Sequence, residues 1–283
     1  MKITTSAPGK LMLFGEHAVV YGRPCIVTAI SERLTVREGN PIGDTRFLDA
    51  AIALWGKPGM KISATSSFSG TYGFGSSSAV TVAALKYIRP SASNRELFDA
   101  AYKIILDIQG KGSGFDVAAA IYGGTLYYIK NKIIEPMNIK NMPLVVGYTG
   151  VKADTVALMA AVSEKMKAQP DRVERIYDAI AKLTEDAKVK MVEGDWERVG
   201  RLMDFNQDYL RDLGVSSEKL ESLILAAKNA GACGAKLSGA GGGDCMISLV
   251  DERNRKKVED AITKAGGQVI HIAPGAQGVR LES

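Results

Sequence analysis

The sequence predicts a mixed α+β protein in two lobes, residues 1–145 and 146–283. Three observations carry that prediction. Short β-rich runs split by Gly and Pro fill the first third, long amphipathic helices follow residue 150, and strand, helix and strand alternate at the end. A chain of 283 residues is long enough for one large or two medium domains. Its hydrophobic fraction of 46% and charged fraction of 24% are those of a soluble globular protein.

The elements follow in order. "LMLFGEHAVVYG" and "RPCIVTAISERLTVRE" carry β-rich runs, and "EGNPIGDTRF" is a loop. A short helix, "LDAAIALWG", precedes the strand "MKISATSSF". Residues 78–88 and 95–108 read as helices parted by "RPSASN", where Ser93 or Asn94 supplies the cap. "GGTLYYIKNKIIEPM" and "MPLVVGYTG" are strand-like. Val173, Ile176, Ile180, Leu183, Ala187 and Met191 then recur on one helical face. Gly194 interrupts, and the next helix carries Trp196, Val199 and Met203 as core residues. "SSEKLESLILAAKNAG" is a further helix closed at Gly231.

Composition narrows the function classes. No apolar run approaches the roughly 20 residues that cross a bilayer, and the start lacks a signal-peptide core. A cytoplasmic protein without a membrane partner is expected. Cys25, Cys233 and Cys245 are too scattered for a disulfide framework, and with only His17 and His271 beside them no zinc site is expected. The net charge of +5 is spread along the chain, which argues against nucleic-acid binding and suits anionic small molecules or an ordinary surface alike.

Four segments concentrate chemistry. In "GTYGFGSSSAV" (70–80), Gly73 and Gly75 free the backbone for close approach, and Ser76, Ser77 and Ser78 bring hydroxyls to a helix N-terminus. Such a terminus presents unpaired N–H groups and favours anions, phosphate above all; a flexible loop with a serine cap is the plainer reading. The turn lacks the Lys of a Walker P-loop and the third Gly of a dinucleotide fingerprint. "SGAGGGD" (238–244), with Gly239, Gly241 and Gly242, reads equally as a ligand-hugging loop or a tight strand-to-strand turn. In "GKGSGFDVAAAIYGG" (110–124), Asp116 is a helix cap or a catalytic base. In "SAPGKLMLFGEHAVVYG" (6–22), Lys10, Glu16 and His17 fall close together, where single charges are ordinarily solvated.

In combination, "APGK", "GFGSSSA" and "KLSGAGGG" at the start, middle and end of the chain resemble the GHMP kinase family over nearly the whole length. Within it, "APGKLMLFGEHAVVYG", "GYTGVKADT", "GRLMDFNQDYLRDLGV" and "AGACGAKLSGAGGG" are most similar to archaeal mevalonate kinases. The resemblance implies a ribosomal-S5-like N-terminal lobe and a ferredoxin-like C-terminal lobe with the site between them. It also implies transfer of the ATP γ-phosphate to the 5-hydroxyl of mevalonate, with Mg2+. By that resemblance Lys10 lies near the transferring phosphate, and Glu16, His17 and Gly114 lie beside the substrate. The 73–78 turn and the glycines at 239, 241 and 242 hold ATP, Ser77 ligates Mg2+, and Asp116 is the catalytic aspartate. A homodimer is a frequent assembly among relatives.

The pattern also departs from the family. The magnesium-binding Glu expected eleven residues before Asp116 is replaced by Ile105, with Asp107 out of register on the helix. "GSGFDVAAAIYG" and "YGFGSSS" are more similar to phosphomevalonate kinases, for which Arg23, Lys111 and Lys152 would supply extra cationic contacts. Asp244 stands where the glycine pattern expects another Gly, and the chain is short between Arg37 and Gly70. The alternatives are thus a phosphomevalonate kinase and a ligand sensor of the same fold without turnover.

Overall fold

A computed structural model describes residues 3–282. The first sheet is built from β1 (Thr4–Phe14), β2 (Cys25–Glu38), β3 (Ile62–Ser66), β4 (Thr125–Ile129) and β5 (Ile133–Met137). A three-residue strand from the chain end, β10 (Arg280–Glu282), completes it in the order β10-β1-β2-β4-β5, with β3 pairing the far half of β2. All these pairings are antiparallel. Four helices pack on one face: α1 (Arg46–Trp55), α2 (Ser76–Ile88), α3 (Asn94–Gln109) and α4 (Phe115–Tyr122). Ser93 caps α3 in a capping box with Glu96, which fixes that helix start.

The second sheet runs β7-β8-β6-β9, from β6 (Leu144–Tyr148), β7 (Gly234–Ser238), β8 (Cys245–Leu249) and β9 (Gln268–Ile270). Around it lie α5 (Thr155–Ala168), α6 (Pro170–Glu193), α7 (Trp196–Leu213), α8 (Glu218–Asn229) and α9 (Glu252–Lys264). The apolar stripe of α6 is buried at Val173, Ile176, Ile180, Ala187 and Met191, as its period requires.

β1 joins the two lobes because its alternation faces both ways. Ala7 and Met12 pack under the first helices, whereas Leu11, Leu13 and Phe14 join a core shared with Ile247, Leu249, Val199 and Met203 of the second lobe. The lobes therefore meet through a continuous apolar layer.

Two sequence expectations are corrected. "AVVY" forms a single 3-10 turn, Ala18–Tyr21, rather than a strand end, because Gly22 in the left-handed region closes it. Residues 280–282, read from sequence as part of the second lobe, return to pair with β1. Among the described residues no helix is long and apolar enough to cross a membrane. Cys25 and Cys245 are buried free thiols, and Cys233 is half-buried.

Candidate active site

Lys10 owes its position to an irregularity in β1. The pairing with β2 slips between Pro8 and Lys10, as a strand carrying Pro-Gly must. The Lys10 N–H donates to the Phe74 carbonyl at 2.9 Å, and its ammonium donates to the Gly73 carbonyl at 2.9 Å. The side chain is almost buried, with Phe115 beneath it at 5.5 Å. Both ends of Lys10 are thus stitched to the turn that opens α2.

That turn is an open helix terminus. Gly75, at φ 76°, precedes Ser76, and no side chain caps the helix. The first intrahelical bond is Ala79 N–H to the Gly75 carbonyl, so the N–H groups of Ser76, Ser77 and Ser78 have no partner in their own helix. The glycines here make room for the protein's own side chains. A Cβ at 75 would sit 3.1 Å from Lys10, and one at 73 only 2.5 Å from the Asp244 carboxylate. Ser78 is buried, whereas Ser76 and Ser77 are half-exposed. Phe68 and Tyr72, just before the turn, line a cavity of about 290 Å³ with Gln268 and Ile270.

Asp116 lies in the first turn of α4, where a helix dipole favours a carboxylate. Its Oδ1 is buried, without a hydrogen bond, 3.7 Å from the Lys10 ammonium. The side chain is nonetheless 32% exposed, so the remaining carboxyl surface is open. Burial pushes the Asp116 carboxyl above its ordinary value, and Lys10 pulls it part of the way back. Gly114 starts α4 at φ 86°, and a Cβ there would meet the Tyr128 hydroxyl at 2.7 Å, so this glycine serves packing behind Asp116.

His17 stands at φ 60°, a strained value for a side-chain-bearing residue. Its Nε2 lies 2.9 Å from the Ala240 carbonyl and must carry the proton; burial keeps the ring neutral, leaving buried Nδ1 as an unpaired acceptor. Glu16 is fully buried and paired with Lys236 of β7, also fully buried. Burial drives Glu16 up and Lys236 down, and their mutual attraction opposes both shifts. Glu16 Oε2 has no partner.

The glycine-rich segment is the hairpin turn between β7 and β8. Gly239, at φ 98°, faces open space, whereas a Cβ at Gly241 would meet the Val215 carbonyl at 2.1 Å and one at Gly242 would meet Leu158 at 2.7 Å. Smallness at 241 and 242 is therefore required by the protein's own packing. Asp244 does not point away. It is buried at 9% exposure, its Oδ1 accepts from Ala153 N–H at 2.8 Å, and its other oxygen abuts Gly73. Burial raises its carboxyl, opposed by the Ala153 N–H, Lys10 and Lys152.

The structure thus brings Lys10, Asp116, the 73–78 turn and Asp244 together. Sequence reasoning missed Lys236 and Ser238, which tie the second lobe to this site. Ser238 Oγ accepts from Met12 N–H at 3.1 Å and donates to the Met12 carbonyl at 2.9 Å. Their one local signal is their place inside "KLSGAGGG". Ile105 is core, and Asp107 is exposed and paired with Lys103, so neither reaches the site. Arg23 is closed on Glu174 and Asp178 rather than free for a phosphate, while Lys111 and Lys152 are exposed.

The unpaired N–H groups at the α2 terminus, beside the Lys10 ammonium, suit a polyphosphate. Among the described residues no three His, Cys, Asp or Glu side chains form a metal cluster. The half-exposed Ser77 hydroxyl at the open terminus is the donor that a cation of the magnesium type could use. Such a cation takes one or two protein ligands and draws the rest from phosphate and water.

Residues 45–124 match the GHMP kinases N terminal domain and residues 187–268 match GHMP kinases C terminal. The mevalonate kinase of Thermococcus gammatolerans is 34% identical, covering 100% of this chain and 99% of that protein. The mevalonate kinase of Pyrococcus horikoshii is 35% identical, covering 99% and 98%. Among solved structures, L. major mevalonate kinase in complex with R-mevalonate superposes with a TM-score of 0.83 at 25% identity, covering 96% and 95%.

Proposed function

The chain belongs to the GHMP kinase family, and on that premise we propose that it transfers the terminal phosphoryl group of ATP to the 5-hydroxyl of mevalonate. One observation carries the reading: Lys10 and Asp116 lie 3.7 Å apart beside the uncapped start of α2, in a chain that aligns end to end with mevalonate kinases. An alcohol is a poor nucleophile, and the open face of Asp116 takes its proton as the new O–P bond forms. The burial that raises this carboxyl makes it the better acceptor.

Lys10, held by the Gly73 carbonyl, and the N–H groups of Ser76, Ser77 and Ser78 stabilise charge on the transferring group. Magnesium, when bound, neutralises phosphate charge, and Ser77 is the side chain that would hold it. His17 and Glu16 belong beside the acceptor on this reading, His17 with its unpaired Nδ1 as a hydrogen-bond acceptor and Glu16 through its pair with Lys236. Gly239 leaves room at the phosphates, and Gly114, Gly241 and Gly242 shape the walls. Arg23 is spent on two carboxylates, which favours unphosphorylated mevalonate over its phosphate. The enzyme is cytoplasmic on this reading, with a homodimer as the assembly to test by sedimentation.

ADP release tests the proposal. Steady release with ATP, Mg2+ and mevalonate alone is expected. Release with 5-phosphomevalonate only would make the protein a phosphomevalonate kinase, and none with either acceptor would leave a ligand sensor.

A further inference from the structure

We propose that Asp244 is a charge filter at the nucleotide site, rejecting a cation-free polyphosphate and admitting its cation complex. The inference rests on reading the Gly73–Ser78 turn as the seat of the phosphates.

Four contacts fix the carboxylate. The backbone of Asp244 is left-handed, at φ 54°, and is clamped on both sides: its N–H donates to the Val151 carbonyl at 2.8 Å, and its carbonyl accepts from Thr149 N–H at 2.9 Å. Oδ1 accepts from Ala153 N–H at 2.8 Å. Oδ2 is wedged against Gly73, where any Cβ would lie 2.5 Å from it. At 9% exposure the group has no room to swing into solvent. Gly73 is also the residue whose carbonyl holds the Lys10 ammonium, so a fixed anion and a fixed cation flank one peptide of the phosphate turn.

A ligand at that turn meets both charges. Lys10 attracts phosphate, and Asp244 repels it in proportion to the charge the ligand carries. Free ATP bears about four negative charges and its magnesium complex about two, a difference that a nearby carboxylate in a solvent-screened site converts into roughly tenfold in affinity. A glycine at 244, which the run "SGAGGG" leads one to expect, would impose no such penalty.

The test is equilibrium binding of a non-hydrolysable ATP analogue to the full chain by titration calorimetry, in EDTA and in excess magnesium. Asp244→Asn keeps an acceptor for Ala153 N–H and removes the charge; Asp244→Gly removes the contact with Gly73 as well. Melting curves establish that each variant is folded, and either one suffices if the other is not. Binding in EDTA is expected to tighten roughly tenfold in both variants, with a change below about threefold in magnesium. Equal shifts in the two conditions, or no shift in EDTA, would overturn the filter while leaving the kinase reading intact. Absence of nucleotide binding to the unaltered protein under both conditions would sink the kinase reading, and the filter with it.

Discussion

Asp116 combines two properties: one oxygen is buried without a hydrogen bond, while the side chain as a whole stays partly exposed. Desolvation raises its pKa, with Lys10 opposing, so the acid limb of kcat/KM should lie above the usual aspartate value of about 3.9. Asp116→Asn should remove that limb and cut kcat by about 10³-fold. The sign for stability follows from the same shift. A carboxyl whose folded pKa is raised favours the fold below its unfolded pKa, and that contribution is lost as pH rises through the folded value. The Asn variant, which never ionises, should therefore melt higher than the parent at neutral pH. A variant with near-parental kcat, or with a lower melting temperature at pH 7, would contradict this account.

Among the elements, α2 and α5 stand at opposite extremes around the site. α2 is buried along most of its length, at Ser78, Ala79 and from Thr81 through Leu85, whereas α5 buries Val162 alone. α5 leans on the glycine hairpin through Leu158 against Gly242, and Lys165 reaches the Asp212 carbonyl. Few buried apolar contacts mean a low local opening free energy. Amide exchange by mass spectrometry should thus be faster over Thr155–Ala168 than over Ser76–Ile88 by at least an order of magnitude, and equal protection would refute it. The legibility of elements from sequence follows the same division between local and distant causes. A cap at Ser93 or Asn94, the stripe of α6 and the Gly-Ser opening of α2 are written in neighbouring residues and were readable. "AVVY" misleads because its β-branched residues favour a strand, while Gly22 closes it as a turn. β10 has three residues and gains its strand form only by meeting β1, some 276 positions away at Ser6 and Glu282. The direction of Asp244 depends on Ala153 and Gly73, which no local pattern reveals.

At the scale of the whole molecule, the candidate site draws Lys10, Asp116 and the 73–78 turn from the first lobe and Asp244 from the second, and the junction between them contains a charge pair. Glu16 follows β1, Lys236 lies in β7, and neither is exposed at all. Nearby, Ser238 bonds both backbone groups of Met12, and His17 bonds the Ala240 carbonyl. The surrounding core of Leu11, Phe14, Phe74 and Ile247 already supplies apolar attraction, so the pair adds a requirement of register rather than bulk stability. Lys236→Met would leave the Glu16 charge buried and uncompensated, at a cost of about 3–5 kcal/mol. Combining it with Glu16→Gln should restore most of that loss, since two neutral groups of similar volume need no partner charge. Urea denaturation of the two single variants and the double variant measures the coupling directly. If Lys236→Met costs less than about 1 kcal/mol, or the double variant is no more stable than Lys236→Met, the lobes are held in register by the apolar layer and Ser238 instead.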